Sequence, residues 1–252
     1  MPNIPAAAKI SRPLPKSWAE LTPAEGRYLC ALLGSGGCTP VEAAAVYLAR
    51  REGGAFRSLL RLPENSRPVP AEALEALAWI GEAPPALAAP PLFAPKGARL
   101  LVSPTLRGVP FADYLRLTNL YRAALQSADA PAEVQTAIFR DLAAIVWKAP
   151  RRAFGLMAPA APSQGARYAL LLWLTAWHAF AARRWKHLFT ASLSSTAPAH
   201  SPEQVMDAEI RALTGGDITK EADILAADTW RALSELDAKA REAAELEKIR
   251  KK

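Results

Sequence analysis

The segment YALLLWLTAWHAFAARRWKH, residues 168–187, decides the fold class of this chain. From Tyr168 to Ala182 it is almost wholly apolar, and basic residues follow at once. A helix needs roughly 20 apolar residues to span a bilayer, so this segment is too short for that role. We expect a buried central helix instead. Trp173, Trp177 and Phe180 recur at helical spacing along it, so we expect them to be core residues of the protein.

The rest of the composition favours helices as well. Apolar residues make up 51% of the 252 residues, which is enough to build a sizeable core in one large domain or two small ones. Alanine, leucine, arginine and glutamate recur, while runs of β-branched residues are few. The sequence therefore predicts an all-α fold, a helical globular body with a long charged C-terminal helix.

Three capping boxes mark the starts of helices. They are Thr22-Pro23-Ala24-Glu25, Thr39-Pro40-Val41-Glu42 and Ser201-Pro202-Glu203-Gln204. Each has a hydroxyl that can accept from the third backbone N–H, a proline at the first helical position, and a side chain that can reach back to the cap. We predict helices at 22–33, 40–51, 70–80, 110–127, 131–147, 165–189, 202–213 and 219–250.

The distribution of proline suggests three regions. The first 15 residues contain four prolines and lack the continuous apolar core of a secretory signal, so we expect residues 1–15 to form a flexible arm. Residues 16–215 would form the all-α body, and residues 216–252 the C-terminal helix. Within the body, the proline-rich stretch 83–97 predicts an extended connector, and residues 98–103 either a short strand or a cover over the core.

The C-terminal segment LTGGDITKEADILAADTWRALSELDAKARE, residues 213–242, opens with two glycines. A phosphate-binding loop would need a lysine and then a serine or threonine after the second glycine. Here Gly215-Gly216 is followed by Asp217, so we interpret the pair as the end of one helix and Thr219 as the cap of the next.

An apolar stripe runs along this last predicted helix. We predict a partner-binding surface formed by Trp230, Leu233, Leu236, Ala240, Ala243 and Leu246. The first half of the helix would pack on the body through Trp230 and Leu233. The second half would project, or pair with another chain.

No pattern of catalytic or metal-binding residues stands out. His178, His187 and His200 have no metal-binding spacing, and we interpret His178 as a core residue with its hydrogen bonds satisfied. Cys30 and Cys38 have no histidine nearby, which makes a poor zinc site, and two cysteines indicate no disulfide framework. We predict no catalytic residue, no metal and no cofactor, although a site assembled from distant helices stays open.

Positive charge is concentrated in residues 142–200, which hold seven basic residues and no acidic ones. We predict a basic surface formed by Arg151, Arg152, Arg183, Arg184 and Lys186. Cations beside Trp173, Trp177 and Phe180 suit single-stranded nucleic acid, so a nucleic-acid-binding module is the alternative function. Cations are also favoured near a helix C-terminus, and the block could dock on the acidic tail, so both of these roles stay open as well.

Five sequence blocks carry a resemblance to a known group of proteins. The blocks are LPKSWAELTPAEGRYLCALL (14–33), GVPFADYLRLTNLY (108–121), DLAAIVWKAP (141–150), LLWLTAWHAFAARRWKHLF (171–189) and residues 213–242. In order and character they resemble proteins encoded in bacterial phage and prophage gene clusters, among tail and other virion-assembly genes. The chain departs from that pattern in being richer in alanine and proline, and in having Trp147-Lys148 where a Tyr-Arg pair is expected.

The resemblance implies a non-enzymatic assembly or structural role, most plausibly that of a tail-assembly chaperone or adaptor. Its partner would be another phage-type assembly protein or a second copy of the chain, with no membrane involved. The protein would then work in the cytoplasm of the bacterial host or within the virion. The resemblance provides no catalytic residue.

Overall fold

The computed structural model describes residues 13–52, 69–82, 99–148, 161–189 and 202–250, and in them the chain is all-α, as predicted. The α-helices are α1 (Pro23–Gly34), α2 (Pro40–Glu52), α3 (Ala71–Glu75), α4 (Phe111–Gln126), α5 (Ala132–Val146), α6 (Gln164–Arg184), α7 (Pro202–Thr214), α8 (Glu221–Ala226) and α9 (Thr229–Arg250). Short 3-10 helices cover Trp18–Glu20, Ala78–Gly81 and Ile218–Lys220. Strands β1 (Arg99–Leu100) and β2 (Trp147–Lys148) form a two-stranded sheet.

Several predicted features lie outside the described residues. They are most of the N-terminal arm (1–12), the proline-rich connector (83–97), the Ser201 cap, Arg151 and Arg152. Of the two alternatives for residues 98–103, the short strand is present, as β1.

The chain divides into two compact units. The first unit comprises Met1–Arg99 and Ala149–Ala176, and the second comprises Leu100–Lys148 and Trp177–Lys252. These boundaries differ from the divisions predicted after residues 15 and 215, and they place the C-terminal helical segment in the same unit as α4 and α5. The reason is a set of buried contacts made by the first half of α9, described below.

In the first unit, both predicted capping boxes are confirmed. Thr22 Oγ1 accepts from Glu25 N at 3.3 Å while Glu25 Oε2 accepts from Thr22 N at 2.9 Å. The corresponding bonds between Thr39 and Glu42 are 3.3 and 2.7 Å long. These reciprocal bonds satisfy backbone N–H groups that the first turn of a helix leaves without partners, so α1 and α2 begin where the sequence predicts.

The core of the first unit depends on a close approach of two helices. A Cβ atom on Gly34 of α1 would lie 2.6 Å from the carbonyl oxygen of Gln164, and one on Gly165 of α6 would lie 2.8 Å from Cα of Ala31. Only glycine fits these positions without movement of the backbone. The buried core of this unit includes Leu29, Leu32, Ala43, Tyr47, Leu77, Ile80 and Ala169.

In the second unit, Trp177 of α6 is a central core residue. It is 1% exposed, its ring lies 5.2 Å from that of Tyr114 on α4, and its Nε1 donates to Thr105 O at 3.4 Å. Trp173, in the first unit, is equally buried. The prediction that Trp173 and Trp177 are core residues is therefore confirmed.

Two predicted helices are interrupted. The helix predicted at 70–80 consists of α3 and a 3-10 turn, and the one at 165–189 ends at Arg184 before a further helical turn at 186–189. At the second interruption, the backbone N–H groups of His187 and Leu188 donate to Asp237 Oδ1 at 2.8 and 3.0 Å. The Asp237 carboxylate, 50 positions away from His187, therefore accepts hydrogen bonds from backbone N–H groups that an unbroken helix would bond to its own carbonyls.

The prediction of a single helix at 219–250 is wrong. Ala227 is extended, with φ −63° and ψ 155°, and it separates α8 from α9. Gly215 and Gly216, with φ of 65° and 85°, end α7 as predicted. Thr219 is not the cap that follows, because Asp217 Oδ1 accepts from Thr219 N at 3.0 Å and caps the 3-10 turn instead.

Candidate partner-binding surface

The start of α9 is fixed by one carboxylate. Asp228 Oδ1 accepts from Trp230 N at 2.9 Å and from Arg231 N at 3.2 Å, which satisfies two N–H groups of the first turn. The other oxygen, Oδ2, accepts from Gly108 N at 2.6 Å. Asp228 therefore both begins the helix and attaches it to the segment that precedes α4.

Backbone pairing strengthens the same attachment. Phe111 N donates to Ala227 O at 2.8 Å, and Thr229 N donates to Val109 O at 2.9 Å. The hydroxyl of Thr229 adds a bond of 2.7 Å to Val109 O, and this residue is 0% exposed. The break between α8 and α9 is thus a structured junction with buried hydrogen bonds.

Trp230 is surrounded by its own unit. Its Nε1 donates to Thr105 O at 2.6 Å, and its ring lies 5.3 Å from that of Trp185. The guanidinium carbons of Arg107 and Arg184 lie 4.2 and 4.9 Å from the Trp230 ring centroid, within the range of cation–π attraction. The prediction that the first half of the helix packs on the body through Trp230 is therefore confirmed, and Trp230 is a packing residue of the second unit rather than part of an open partner surface.

The prediction of a partner-binding stripe is also wrong for Leu233 and Leu236, which lie in the middle of the stripe. Leu233 and Leu236 are 1% and 4% exposed, so they are core residues of the second unit and do not form a partner surface. Ala240 is partly buried, whereas Ala243 and Leu246 are exposed. The part of the stripe that a partner could reach therefore begins beyond Ala240.

Helix geometry explains why the stripe does not stay on one face. Its apolar residues follow one another at an average spacing shorter than the 3.6 residues of a turn, so they drift around the helix. At about 100° per residue, Leu246 lies roughly 80° away from Leu236 around the axis, and Ile249 roughly 140° away. Accordingly Leu246 and Ile249 are 67% and 70% exposed.

The distal part of α9 is charged as well as apolar. Residues 241–250 are all exposed. We define the distal α9 surface as Ala243, Leu246 and Ile249 with the neighbouring charged residues Glu245, Glu247, Lys248 and Arg250. Its apolar pair, Leu246 and Ile249, is about one turn apart, with charges of both signs on either side.

Of the predicted basic surface, three residues lie in the part of the chain that the structure describes. Arg183, Arg184 and Lys186 are exposed at the end of α6, and Arg184 lies against the rings of Trp230 and Trp185. Trp173 and Trp177 are buried and so cannot stack on bases. Phe180, the third of these aromatic residues, is partly buried, and its ring packs against those of Trp185 and Trp230.

A group of titratable side chains lies inside the second unit. Burial raises the pKa of Glu209 from 4.5 to about 7, although the charge of Arg122 opposes this rise. Burial, together with the charge of Arg122, lowers the pKa of His178 from 6.5 to about 4. His178 stacks on Tyr121 at 4.9 Å, but its Nε2 has no hydrogen-bond partner among the described residues, so the prediction of a satisfied histidine is wrong for that atom.

A groove of about 290 Å³ lies elsewhere in the second unit. It is lined by Leu101, Val102, Gly108, Val109, Pro110, Asp113, Arg116, Ala144 and Ile145. Asp113 and Arg116 are its ionisable residues, and an arginine stays protonated, so the lining contains no pair that could exchange a proton. It also contains no serine, cysteine or histidine that could act as a nucleophile.

The described ranges hold neither a metal-binding cluster nor a membrane-spanning helix. Among these residues, no three histidine, cysteine, aspartate or glutamate side chains form a group that could hold a metal ion. In the same part of the chain, no helix combines the length and the apolar character needed to cross a bilayer. Cys30 and Cys38 are not joined in a disulfide, and burial raises the pKa of the Cys30 thiol to about 12.

Comparisons of the chain with protein-family models, with curated proteins and with solved structures found no match.

The residues that hold α9 in place could not be predicted from the sequence. Asp228 followed by Thr229 is a typical N-cap signal, but it lies inside a segment of good helix formers, which favours one long helix. Asp237 and Glu209 have no local signal, since the groups they affect are contributed by distant parts of the chain.

Proposed function

We propose that this protein is a non-enzymatic assembly protein of the phage type, an adaptor or tail-assembly chaperone that uses the distal α9 surface to pair with a second copy of itself. The observation that carries the proposal is the exposure of Leu246 and Ile249, at 67% and 70%, on a helix whose first half is firmly anchored. The cytoplasm of a bacterial host, or the assembled particle, is the corresponding location.

The apolar pair supports pairing between helices. Scattered exposed leucines are ordinary on protein surfaces and need no special role. Leu246 and Ile249, however, are neighbours on one face, about one turn apart, and anchors at this spacing are those used when one helix docks on another.

The charged residues of the distal α9 surface favour a second copy of the chain as its partner. When two α9 helices lie parallel and in register, with Leu246 and Ile249 of each facing the same residues of the other, Glu245 of one helix flanks the apolar pair beside Arg250 of its partner. This pair is attractive, and the two-fold symmetry makes it occur twice. The distal α9 surface is therefore complementary to itself in this register.

The pairing should be weak. A stable specific interface buries roughly 1,200–2,000 Å² in total, and two helical turns on each side supply less than that. We therefore expect association that depends on concentration and is reinforced where several copies are held together, as in a growing particle.

The nucleic-acid alternative depends on Arg183, Arg184 and Lys186, the exposed cations at the end of α6. Binding of this kind is carried by phosphate neutralisation and therefore falls steeply with salt. The nucleic-acid alternative therefore predicts a complex that contains nucleic acid and dissociates when salt is added. The main proposal predicts a dimer of protein alone.

The test is light scattering on a sizing column, with absorbance read at two wavelengths and a series of loading concentrations. The mass of the wild type should rise towards that of a dimer with concentration, and the Leu246→Ser/Ile249→Ser double variant should remain a monomer. Ile218→Ser, which changes a residue 82% exposed elsewhere in the second unit, is the matched control and should still dimerise. A wild type that is monomeric at every concentration contradicts the proposal, and a nucleic-acid-rich peak removed by salt supports the alternative.

A further inference from the structure

Two arginines from distant parts of the sequence meet at one tryptophan of the second unit. The guanidinium carbon of Arg107, in the segment before α4, lies 4.2 Å from the Trp230 ring centroid, and that of Arg184, at the end of α6, lies 4.9 Å from it. The two guanidinium carbons are therefore at most about 9 Å apart, the sum of these distances. We call Arg107 and Arg184 the arginine pair.

Both members of the arginine pair are accessible. Arg107 and Arg184 are exposed, and neither forms an ion pair or donates a side-chain hydrogen bond within the described ranges. A guanidinium that lies over an aromatic ring makes that contact with its face, while its five N–H donors point outward in its own plane. The donors of the arginine pair can therefore reach a ligand in solvent.

Trp230 restricts where the two guanidinium groups can go. It is itself fixed by the bond from its Nε1 to Thr105 O and by its packing against Trp185. Cation–π attraction to one fixed ring holds two long side chains in place before any ligand arrives. Less side-chain freedom is then lost on binding, which favours affinity.

The charges in this region are mainly positive. Arg183, next to Arg184, is also exposed and has no ion pair in the part of the chain that the structure describes. The adjoining carboxylates are occupied as acceptors, Asp228 by three backbone N–H groups and Asp237 by two. Three guanidinium groups without a carboxylate partner therefore create a positive potential that attracts an anionic ligand.

A single strand of nucleic acid matches this arrangement better than an acidic peptide does. Arginine binds phosphate through paired N–H donors, and two guanidinium groups can engage phosphates of the same strand. The unstacked bases of a single strand also stack on guanidinium planes, a contact that the carboxylates of an acidic peptide do not make. The strand therefore uses both the charge and the flat faces of the arginine pair.

We infer that the second unit binds single-stranded nucleic acid at the arginine pair, with Arg107 and Arg184 on its phosphates. This site goes beyond the proposed self-pairing, since it shares no residue with the distal α9 surface. Arg107 lies outside the basic block at 142–200, so the sequence pattern of that block does not include it. The fold brings it to Arg184 through Trp230.

The test is fluorescence anisotropy of a labelled oligothymidine of about 12 nucleotides, titrated with the full chain at about 50 and about 200 mM sodium chloride. Arg107→Gln and Arg184→Gln should each weaken binding about tenfold at the lower salt concentration. Each should also reduce the slope of log affinity against log salt by about 0.7, the value for one phosphate contact of a single strand. Arg140→Gln, which removes an exposed positive charge from α5 of the same unit, is the matched control and should bind like the wild type.

Three results would overturn the inference. They are absence of binding by the wild type at the lower salt concentration, an equal loss in Arg140→Gln and in the variants of the arginine pair, and displacement of the oligonucleotide by polyglutamate as readily as by unlabelled oligothymidine. Equal losses would mean that net charge alone drives binding, and displacement by polyglutamate would mean that any polyanion is accepted.

Two further variants complete the experiment. Circular dichroism checks the fold of each glutamine variant, and Arg107→Lys keeps the charge while removing the planar fork, so it should lose part of the affinity. Affinity of Arg107→Lys equal to that of the wild type would contradict the paired contact. Leu246→Ser/Ile249→Ser should bind the oligonucleotide like the wild type, which separates a failure of this site from a failure of self-pairing.

Discussion

Asp228 and Gly108 are joined by a hydrogen bond of 2.6 Å between Oδ2 and the backbone N–H, across 120 positions of sequence. Gly108 has a φ of 73°, a left-handed conformation that favours glycine. Because Oδ1 of the same carboxylate caps α9, one side chain determines both where the helix begins and what it is attached to. The position of the distal α9 surface therefore depends on this junction.

Asp228→Ala should lower the free energy of unfolding by about 2–3 kcal/mol, because it removes a helix cap and a charge-assisted bond to Gly108. Asp228→Asn keeps an acceptor for the first turn and should cost about 1 kcal/mol. Urea unfolding followed by circular dichroism measures both. A loss below about 0.5 kcal/mol in the alanine variant would show that the junction does not stabilise the unit.

Thr229→Val should cost about 1–2 kcal/mol, because it preserves the shape of a side chain that is 0% exposed while removing its hydroxyl bond to Val109 O. Thr219→Val is the control, since Thr219 is exposed. Its hydroxyl bond to Asp217 is exposed too, so the change should cost less. Equal losses in the two variants, measured by urea unfolding, would be inconsistent with a buried junction.

Glu209 should make the second unit less stable as pH rises. Its folded pKa of about 7 lies above its ordinary value of 4.5, so the folded chain retains a proton that the unfolded chain releases between these values. Stability therefore falls with rising pH through this window, by about 2 kcal/mol from about pH 5 to about pH 8. Glu209→Gln should abolish this loss.

His178 makes the second unit less stable as pH falls, which is opposite to the effect of Glu209, because the folded pKa of His178 is about 4 and its ordinary value is 6.5. Its contribution is lost as pH falls from 6.5 towards 4. The pH profile of the wild type alone therefore combines two opposing slopes. The difference between wild type and Glu209→Gln at each pH isolates Glu209, and a constant difference would contradict the assignment.

Tyr47→Phe should destabilise the first unit by about 1–2 kcal/mol at neutral pH, since it removes the hydroxyl that donates to Glu25. Burial by itself raises the pKa of Glu25, but bonds from Thr22 and Tyr47 and the charge of Arg51 lower it below 4.5. These bonds favour the ionised carboxylate, so their contribution is present above pH 4.5 and is lost as pH falls through the lowered pKa. The deficit of Tyr47→Phe should shrink over that acid range in denaturant titrations, whereas a deficit independent of pH would mean that the phenol acts through packing.

The features of this fold that depend on local chemistry can be predicted from the sequence. The capping boxes at Thr22 and Thr39 and the glycine pair at 215–216 act through neighbouring residues, and each behaves as predicted. Helical spacing likewise predicts that Trp177 lies in the core.

Features that depend on distant partners cannot be predicted in this way. The break before Thr229 depends on Val109 and Gly108, and the interruption after Arg184 depends on Asp237. Apolar spacing alone does not separate Leu233, which is buried, from Leu246, which is exposed, because both belong to one stripe in the sequence. The six-residue partner surface predicted from the stripe is therefore wrong at Leu233 and Leu236, whereas the division into a first half that packs on the body and a second half that projects is confirmed.

The most direct test of the proposed self-pairing is a charge exchange on α9, followed by sedimentation equilibrium at high protein concentration. Glu245→Arg and Arg250→Glu, made separately, each place like charges beside one another in the parallel register and should weaken the dimer. The double variant Glu245→Arg/Arg250→Glu restores opposite charges in both symmetry-related pairs and should recover it. Recovery in the double variant is the result we predict, and a double variant that dimerises no better than the single ones would contradict the parallel pairing of α9.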